Sequence, residues 1–331
     1  MELFTYTRAT DATQATTAAT KDTRFIAGGT TLLDLMKLDV ERPTQLIDIN
    51  HLGQNSITAK IERLPNGHLQ IGALVRNADL AHHPIVQSDY SVLSQALLAG
   101  ASPQLRNMAT TGGNLLQRTR CMYFRNTAMA CNKREPNSGC SAIEGDNRSL
   151  AILGTSKDCI ATNPSDMNVA LTALEAVVHI QSPAGTTREV PIADFFLLPG
   201  STPHIETVVA PGDLITHVTL PPPRPHSKHI YLKLRDRASY EFALSSAAIV
   251  AEISGNKLTF IRVALGGVGT KPWRSHEAEA ALLNRSADTA IFQRAAAAAL
   301  RDAHPQSENA FKVELAKRCI VRALTLATKS A

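Results

Sequence analysis

The sequence predicts an α+β protein of two domains, and three observations support this prediction. Strand-like apolar runs and helical patterns follow one another over the first two thirds of the chain, with glycine pairs at two of the turns. A proline-rich stretch at 220–228 then breaks the pattern, because its prolines fit neither a helix interior nor a central strand. Strand-like runs and then helices follow it, an order typical of helices packed on one face of a sheet.

The individual patterns give the order of the elements. They predict helices at 31–38, 91–101 (stopped by Gly100 and Pro103) and 167–176, and strands at 45–50, 69–74 and 177–181. After residue 228 they predict three strand-like runs followed by three helices. The first 52 residues form a small α/β unit in this interpretation. The proline-rich stretch sets a domain boundary, so we predict a first domain at 1–224 and a second at 225–331.

The composition describes a soluble globular protein. Of its 331 residues, 44% are hydrophobic and 19% are charged, and the net charge of +5 is mild. Lys and Arg are scattered without interleaved aromatic residues, which argues against a nucleic-acid partner. No apolar stretch is long enough to span a membrane, and the N-terminal residues lack the apolar core of a secretory signal. From the residues alone we expect a cytoplasmic protein.

Two glycine pairs are candidate phosphate cradles. Gly28 and Gly29 stand between a strand and a helix, and Gly112 and Gly113 follow two threonines. Glycines let backbone amides approach a phosphate, and a following helix start adds donors. Neither loop has the spacing of a Rossmann fingerprint or a P-loop. A single pair would predict only a turn, whereas two pairs together favour a bound dinucleotide.

Four of the five cysteines follow the second glycine pair. They are Cys121, Cys131, Cys140 and Cys159, separated by nine, eight and eighteen residues. Zinc sites normally use closely spaced CxxC pairs, and none occurs here. The wide spacing favours an iron–sulfur cluster, with zinc, disulfides and free thiols as alternatives. The neighbouring cations would offset the charge of such a cluster: Arg118, Arg120, Arg125, Lys133 and Arg134. Cys319 lies in an apolar helical pattern and is predicted to be a buried small hydrophobe.

The chain shows little acid–base or nucleophilic chemistry. The sequence contains no HExxH, no GxSxG and no paired-carboxylate motif. Asp166 is predicted in the first turn of a helix, where the helix dipole favours a carboxylate. Lys233 lies at the end of a strand, either solvated or in contact with a phosphate or an electron-rich ring. The residues as a whole indicate electron transfer, with a zinc-stabilised nucleotide-binding module as the non-redox alternative.

The segments that carry this chemistry resemble a known family. AGGTTLLD, ATTGGNLLQRTRC, ATNPSDMNVAL and KHIYLKLRDRASYEFAL are similar to the FAD-binding subunits of the molybdenum hydroxylase (xanthine dehydrogenase) family. Within that family, residues 119–160, which hold the four clustered cysteines and are called the cysteine segment below, resemble a [4Fe-4S] insertion found in bacterial aldehyde oxidoreductases of the periplasmic type. The resemblance implies a two-subdomain FAD-binding domain related to vanillyl-alcohol oxidase, followed by a CO-dehydrogenase-flavoprotein-type C-terminal α+β domain. The subdomains would be about 1–52 and 53–224, with the insertion at 119–160.

The resemblance also assigns residues. The FAD site would comprise Ile26, Ala27, Gly28, Gly29, Thr30, Thr31, Leu32, Leu33, Thr110, Thr111, Gly112, Gly113, Asn114, Asp166, Ile215 and Lys233. Of these, Asp166 would make a polar contact with the cofactor, Ile215 would pack near the isoalloxazine and Lys233 would lie near its polar edge. The [4Fe-4S] ligands would be Cys121, Cys131, Cys140 and Cys159.

The resemblance places the substrate site on another chain. A large subunit with molybdenum cofactor and a small subunit with two [2Fe-2S] clusters would deliver electrons to FAD, which passes them to an external acceptor. The reaction would be the oxidation of aldehydes, with no catalytic residue on this chain. Export to the periplasm would follow from binding a small subunit with a Tat signal. The redox alternatives are the corresponding subunits of hydroxybenzoyl-CoA-reductase-like and xanthine-dehydrogenase-like enzymes.

Overall fold

The computed structural model describes residues 1–52 and 56–329, and its N-terminal unit is a parallel sheet with two helices. The strand order is β1-β3-β2. The elements are β1 (Thr5–Arg8), α1 (Ala12–Ala18), β2 (Thr23–Ile26), α2 (Leu32–Lys37) and β3 (Gln45–Asp48). The predicted α/β unit therefore has parallel strands joined by crossover helices, as parallel pairing requires. The predicted division at residue 53 and the end of the chain at 331 lie outside the described residues.

The second unit is built on an antiparallel five-stranded sheet with the order β4-β5-β8-β6-β7. Its strands are β4 (Ile61–Arg63), β5 (Leu69–Gly72), β6 (Val177–Gln181), β7 (Thr187–Pro191) and β8 (Leu214–Leu220). Its helices are α3 (Asn77–His82), α4 (Pro84–Asp89), α5 (Ser91–Ala99), α6 (Pro103–Met108), α7 (Thr111–Leu115), α8 (Met122–Arg125), α9 (Asp166–Ala173) and α10 (Ile192–Phe195). Apart from α8, residues 119–160 fold as loops and isolated bridges.

The C-terminal unit has an antiparallel sheet with the order β12-β11-β10-β9 and three helices. The strands are β9 (Lys228–Leu234), β10 (Ser245–Ser254), β11 (Lys257–Gly266) and β12 (Trp273–Arg274). The helices are α11 (His276–Leu282), α12 (Thr289–Ala299) and α13 (Phe311–Thr328). One sheet face packs on these helices around Ile249 and Val263, as predicted. The other face packs on α5 and α9 of the preceding unit, so Ala248 and Val250 belong to the core of that unit.

A buried lysine ties the cysteine segment to the C-terminal unit. The Nζ atom of Lys312, on α13, donates hydrogen bonds to the carbonyl oxygens of Ser149 (3.0 Å), Leu150 (2.8 Å) and Gly267 (2.6 Å). Burial lowers the pKa of Lys312 to about 7, whereas three carbonyl acceptors match the three donors of the ammonium form. The adjacent Asn309 side chain donates to the carbonyls of Asn147 and Ala151 and shares the carbonyl of Leu150 with Lys312. Residues 147–151 of the cysteine segment are thereby fixed against α13 and Asn309, which precedes it.

Removing this amine is expected to destabilise the fold. In Lys312→Met, three carbonyls lose the Lys312 donor and only that of Leu150 keeps another, from Asn309, which should lower the free energy of unfolding by about 2–5 kcal/mol. Urea unfolding of both proteins measures the difference. Lys317→Met, on the half-exposed part of the same helix, is the matched control and should unfold like the parent. Equal stability of Lys312→Met would contradict the role assigned to the amine.

Two histidines stack across the centre of the five-stranded sheet. His179 on β6 and His217 on β8 are paired in register, with ring centroids 3.9 Å apart and ring planes at 13°. Burial, with a smaller contribution from the His179 charge, lowers the pKa of His217 from 6.5 to about 4. Burial also lowers the pKa of His179, opposed by Glu189. Both rings are therefore neutral near pH 7.

The burial of His217 predicts a loss of stability in acid. Between about pH 6.5 and 4 the unfolded chain binds a proton that folded His217 does not, so the free energy of unfolding falls as the pH drops through this window. His217→Gln should flatten the pH dependence of the urea midpoint there. His276→Gln, at an exposed position, should leave the dependence unchanged. A parent-like slope in His217→Gln would refute the assignment.

Candidate functional site

A deep cleft of about 780 Å³ lies between the N-terminal unit and the five-stranded sheet. Three stretches supply much of its wall. They are the first glycine loop, the second glycine loop and the chain from Phe196 to Ile215 that leads into β8. The cleft is thus formed where the two units of the first domain meet, a common position for a cofactor site.

The first glycine loop provides unused backbone donors. Residues 26–32 line the cleft. The backbone amides of residues 28–32 donate no hydrogen bond to any of the residues that the structure describes. The first amide after them, that of Leu33, donates to the carbonyl of Gly29 at 3.0 Å. Gly29 has a φ of 70°, a backbone conformation that suits glycine. A run of free amides at a helix start favours an anionic group such as a phosphate.

Gly28 is required by a close approach of two backbones. A Cβ atom at this position would lie 1.9 Å from the carbonyl oxygen of Met108. The same carbonyl accepts a hydrogen bond from Arg76, whose guanidinium also donates to Asn50, and Asn50 donates to the carbonyl of Ala27. The first glycine loop is therefore held directly against the residues that precede the second one.

The second glycine loop contributes shape more than donors. The amides of Thr111 and Gly112 donate to the carbonyls of Val75 and Ala73. The amide of Gly113 donates to the Thr110 hydroxyl, which caps α7. Thr110, Gly112 and Gly113 line the cleft, so the two glycines allow a ligand to approach without a Cβ in the way.

The remaining sequence-predicted residues divide into two groups. Ile215 lines the cleft. Asn114 does not line it, and its side chain accepts a hydrogen bond from the Ser165 hydroxyl. Asp166 and Lys233 do not line it. They form a buried ion pair of 2.7 Å between α9 and β9, to which the Tyr231 hydroxyl adds a hydrogen bond that it donates to Asp166.

This ion pair joins two domains rather than facing the cleft. Lys233 also donates to the carbonyl of Ala99 at 3.1 Å, at the end of α5. Burial, followed by the Asp166 charge, raises the pKa of Tyr231 well above its ordinary value, so its hydroxyl stays a donor. Thr111 and Leu33 likewise lie outside the lining of the cleft. The structure thus brings part of the predicted site together and places the rest in supporting positions.

The four clustered cysteines surround one small cavity. Cys121, Cys131, Cys140 and Cys159 all line it, together with Phe124 and other apolar side chains. All four are free thiols, and so is the buried Cys319. Burial raises the pKa of Cys121 to about 11 and raises those of Cys140 and Cys159. Thiolates at this place therefore need a bound cation or cluster to offset their desolvation.

Four clustered thiols are donors of the kind used by both zinc and iron–sulfur sites. Within the described residues, no three Cys, His, Asp or Glu side chains are close enough to hold one metal ion. A zinc ion binds sulfur at about 2.3 Å and draws its ligands close together. A cubane cluster binds each thiolate through a different iron, so its four ligands stand further apart around a common centre.

Most cations near the cysteines are already paired. Arg118 contacts Glu41 and Glu206, both at 2.5 Å. Arg120 and Arg125 both contact Asp34, at 3.1 and 2.8 Å. The sequence predicts these arginines as the counter-charge of a cluster. In the structure they are paired instead with the carboxylates of Glu41, Glu206 and Asp34, which lie outside the cysteine segment.

The other two predicted cations are held differently. Arg134 donates to the carbonyls of Tyr123, Phe124 and Met129. Lys133 donates to the carbonyl of Pro203 at 3.0 Å, and its Nζ lies 3.6 Å from Glu206. Both make their hydrogen bonds to backbone carbonyls.

Sequence reasoning missed two parts of the site. The stretch before Ile215, including Glu206 and Thr207, forms a wall of the cleft but has no periodic or motif signal. The second omission is that Lys133 and Cys159 line both the cleft and the cysteine cavity. Only the folded chain shows that the two sites share a wall.

Comparisons with known proteins agree with this architecture. Residues 2–223 match the family described as the FAD binding domain in molybdopterin dehydrogenase, and residues 230–327 match the CO dehydrogenase flavoprotein C-terminal domain. The chain is 54% identical over 333 aligned positions to the aldehyde oxidoreductase FAD-binding subunit PaoB of Escherichia coli, with 100% of both chains covered. It is 28% identical to the glyceraldehyde dehydrogenase medium chain of Sulfolobus acidocaldarius, covering 92% of this chain and 90% of the relative.

A solved structure extends the similarity to three dimensions. A chain of carbon monoxide dehydrogenase from Hydrogenophaga pseudoflava superposes with a TM-score of 0.76 at 26% identity, covering 98% of this chain and 97% of that one. The predicted α+β architecture, with an FAD-binding domain followed by a CO-dehydrogenase-flavoprotein-type domain, is confirmed. The protein belongs to the family of FAD-binding subunits of the molybdenum hydroxylases.

Proposed function

We propose that this chain is the FAD-carrying electron-transfer subunit of a molybdenum-dependent aldehyde oxidoreductase. The observation that carries the proposal is the cleft of about 780 Å³ whose first glycine loop presents unused amides. The identity of 54% over the full length to a relative named as an aldehyde oxidoreductase subunit supports aldehydes as the substrate class. The corresponding hydroxybenzoyl-CoA-reductase-like and xanthine-dehydrogenase-like subunits are the alternatives that share the fold.

The residues of this chain would bind and orient the cofactor. The amides of 28–32 would hold the FAD pyrophosphate, and Gly112 and Gly113 would admit the ribityl chain against the second loop. Ile215 would pack on the isoalloxazine and exclude water from it. FAD supplies the ability to accept electrons singly or in pairs, so the protein needs only to place the cofactor and set its potential. Asp166 and Lys233 would support this site from behind by fixing α9 on β9.

The cysteine cavity would hold a [4Fe-4S] cluster. Four thiols from one segment line one cavity in apolar surroundings, and the family resemblance of the segment points the same way. The cluster would supply a one-electron site next to the flavin. Cys121, Cys131, Cys140 and Cys159 would be its ligands, which would draw residues 119–160 around it.

The partners follow from the same proposal. A large subunit with molybdenum cofactor would oxidise the aldehyde, a small subunit with two [2Fe-2S] clusters would relay electrons to this chain, and an external acceptor would remove them. No helix among the described residues is long and apolar enough to cross a bilayer. Periplasmic location by co-export with a Tat-bearing small subunit stays a prediction.

Cofactor content tests the proposal directly. The chain is purified anaerobically, alone and co-expressed with its neighbouring subunits, and its visible spectrum, iron, sulfide and zinc are measured. Flavin with about four irons and four sulfides per chain is the expected result for a [4Fe-4S] cluster. Aldehyde-dependent reduction of the flavin in the complex identifies the substrate class. Zinc without flavin would contradict the electron-transfer function.

Gly28→Ala is expected to weaken FAD binding. The new Cβ must displace the Met108 carbonyl or the loop itself, so FAD binding should weaken roughly tenfold or more, about 1.4 kcal/mol. Titration of the apoprotein with FAD, followed by flavin fluorescence, measures the change. The control is Gly185→Asn, in the β6–β7 turn, where an added Cβ meets nothing within 4 Å. Parent-like FAD affinity in Gly28→Ala would refute the cradle.

Cys131→Ser is expected to lose the cluster while keeping most of the flavin. Serine keeps the size of the side chain but removes the thiolate that binds iron. Iron, sulfide and flavin are quantified per chain. Cys319→Ser removes a buried thiol on α13 that does not line the cavity, and it should retain parent-like iron. Unchanged iron in Cys131→Ser would show that the ligand set is wrong.

A further inference from the structure

One charged side chain belongs to both candidate redox sites. Lys133, in the cysteine segment, lines the flavin cleft and the cysteine cavity, and Cys159 lies with it in the shared wall. Its side chain is only 10% exposed, so its ammonium acts across a poorly solvated boundary. Charges in such surroundings influence each other more strongly than they do in water.

The contacts of Lys133 connect two parts of the chain. Its Nζ donates to the carbonyl of Pro203 at 3.0 Å and lies 3.6 Å from the Glu206 carboxylate. Pro203 and Glu206 are both in the wall of the cleft, on the stretch that leads into β8. Lys133 therefore attaches the cysteine segment to a wall of the flavin cleft.

The charges around this contact are nearly balanced. Glu206 also contacts Arg118, and Arg118 contacts Glu41, so two cations and two carboxylates form one connected group. The exposed Arg24 adds a further contact to Glu41 at 3.2 Å. Removal of the Lys133 charge would leave the buried part of this group with a net negative charge beside both sites.

We infer that Lys133 is a positioning residue shared by the two redox sites, which orders the cleft wall against the cysteine segment and raises the reduction potentials of both the flavin and the cluster. The inference rests on the proposed function, since it requires both groups to be bound. Its physical basis is that each site becomes more negative on reduction, and a nearby cation stabilises the more negative form. Glu206 opposes this effect as the carboxylate nearest to the amine.

Potentiometric titration of the assembled complex tests the inference. Flavin absorbance and the electron paramagnetic resonance signal of the cluster are followed in the parent and in Lys133→Met, Lys133→Arg and Glu206→Gln. Lys133→Met should shift both potentials downward, Lys133→Arg should restore them towards the parent values, and Glu206→Gln should shift both upward. Lys157→Met is the matched control, because Lys157 is exposed, is two residues from Cys159 and lines neither cavity.

The outcomes separate this inference from the proposed function. A parent complex without flavin or without iron contradicts the proposed function itself. A loaded parent with unchanged potentials in Lys133→Met, or a shift of only one of the two centres, overturns the shared role of Lys133. If Lys133→Met does not accumulate as a folded protein, Lys133→Arg and Glu206→Gln carry the test. The inference then fails if Glu206→Gln does not raise both potentials or if Lys133→Arg departs from the parent.

Discussion

The close passage of the Gly28 backbone against the Met108 carbonyl is the constraint on which the cleft depends. It brings the N-terminal parallel sheet against the helices that precede the second glycine loop, with no side chain between them. Asn50 and Arg76 extend the contact by linking Ala27 to the same carbonyl. Because the two loops are fixed on each other in this way, the free amides of one and the smooth surface of the other face a common space.

A second constraint joins the two domains. The C-terminal sheet buries one face on its own helices and the other on α5 and α9, so both of its faces are core. The ion pair of Asp166 and Lys233 lies at this junction, with Tyr231 as an additional donor. A buried ion pair of this kind gains stability only when further hydrogen bonds compensate its desolvation, and here the Ala99 carbonyl accepts one from Lys233 while the Tyr231 hydroxyl donates one to Asp166.

The cysteine segment owes its position to polar contacts more than to secondary structure. Lys312 and Asn309 hold its residues 147–151 against α13. Arg120 and Arg125 hold its start on α2, and Lys133 attaches it to the cleft wall. These contacts consume most of the positive charge that the sequence offers to a cluster. A few connected ion pairs therefore set the electrostatics of the two candidate sites. Glu206 belongs to one of them, since it contacts Arg118 and lies near Lys133, which lines both sites.

The sequence by itself determined the fold class, the two glycine turns and the grouping of the cysteines, because these depend on local periodicity and on residue types with few alternatives. It predicted the strand at 177–181 with the bounds the structure has, for the same reason. Only the tertiary structure decided that the amides of the second loop are occupied, that Asp166 faces Lys233 across a domain boundary and that Lys133 borders two cavities. Such pairings join residues far apart in the chain, and they depend on which surfaces meet when the units pack.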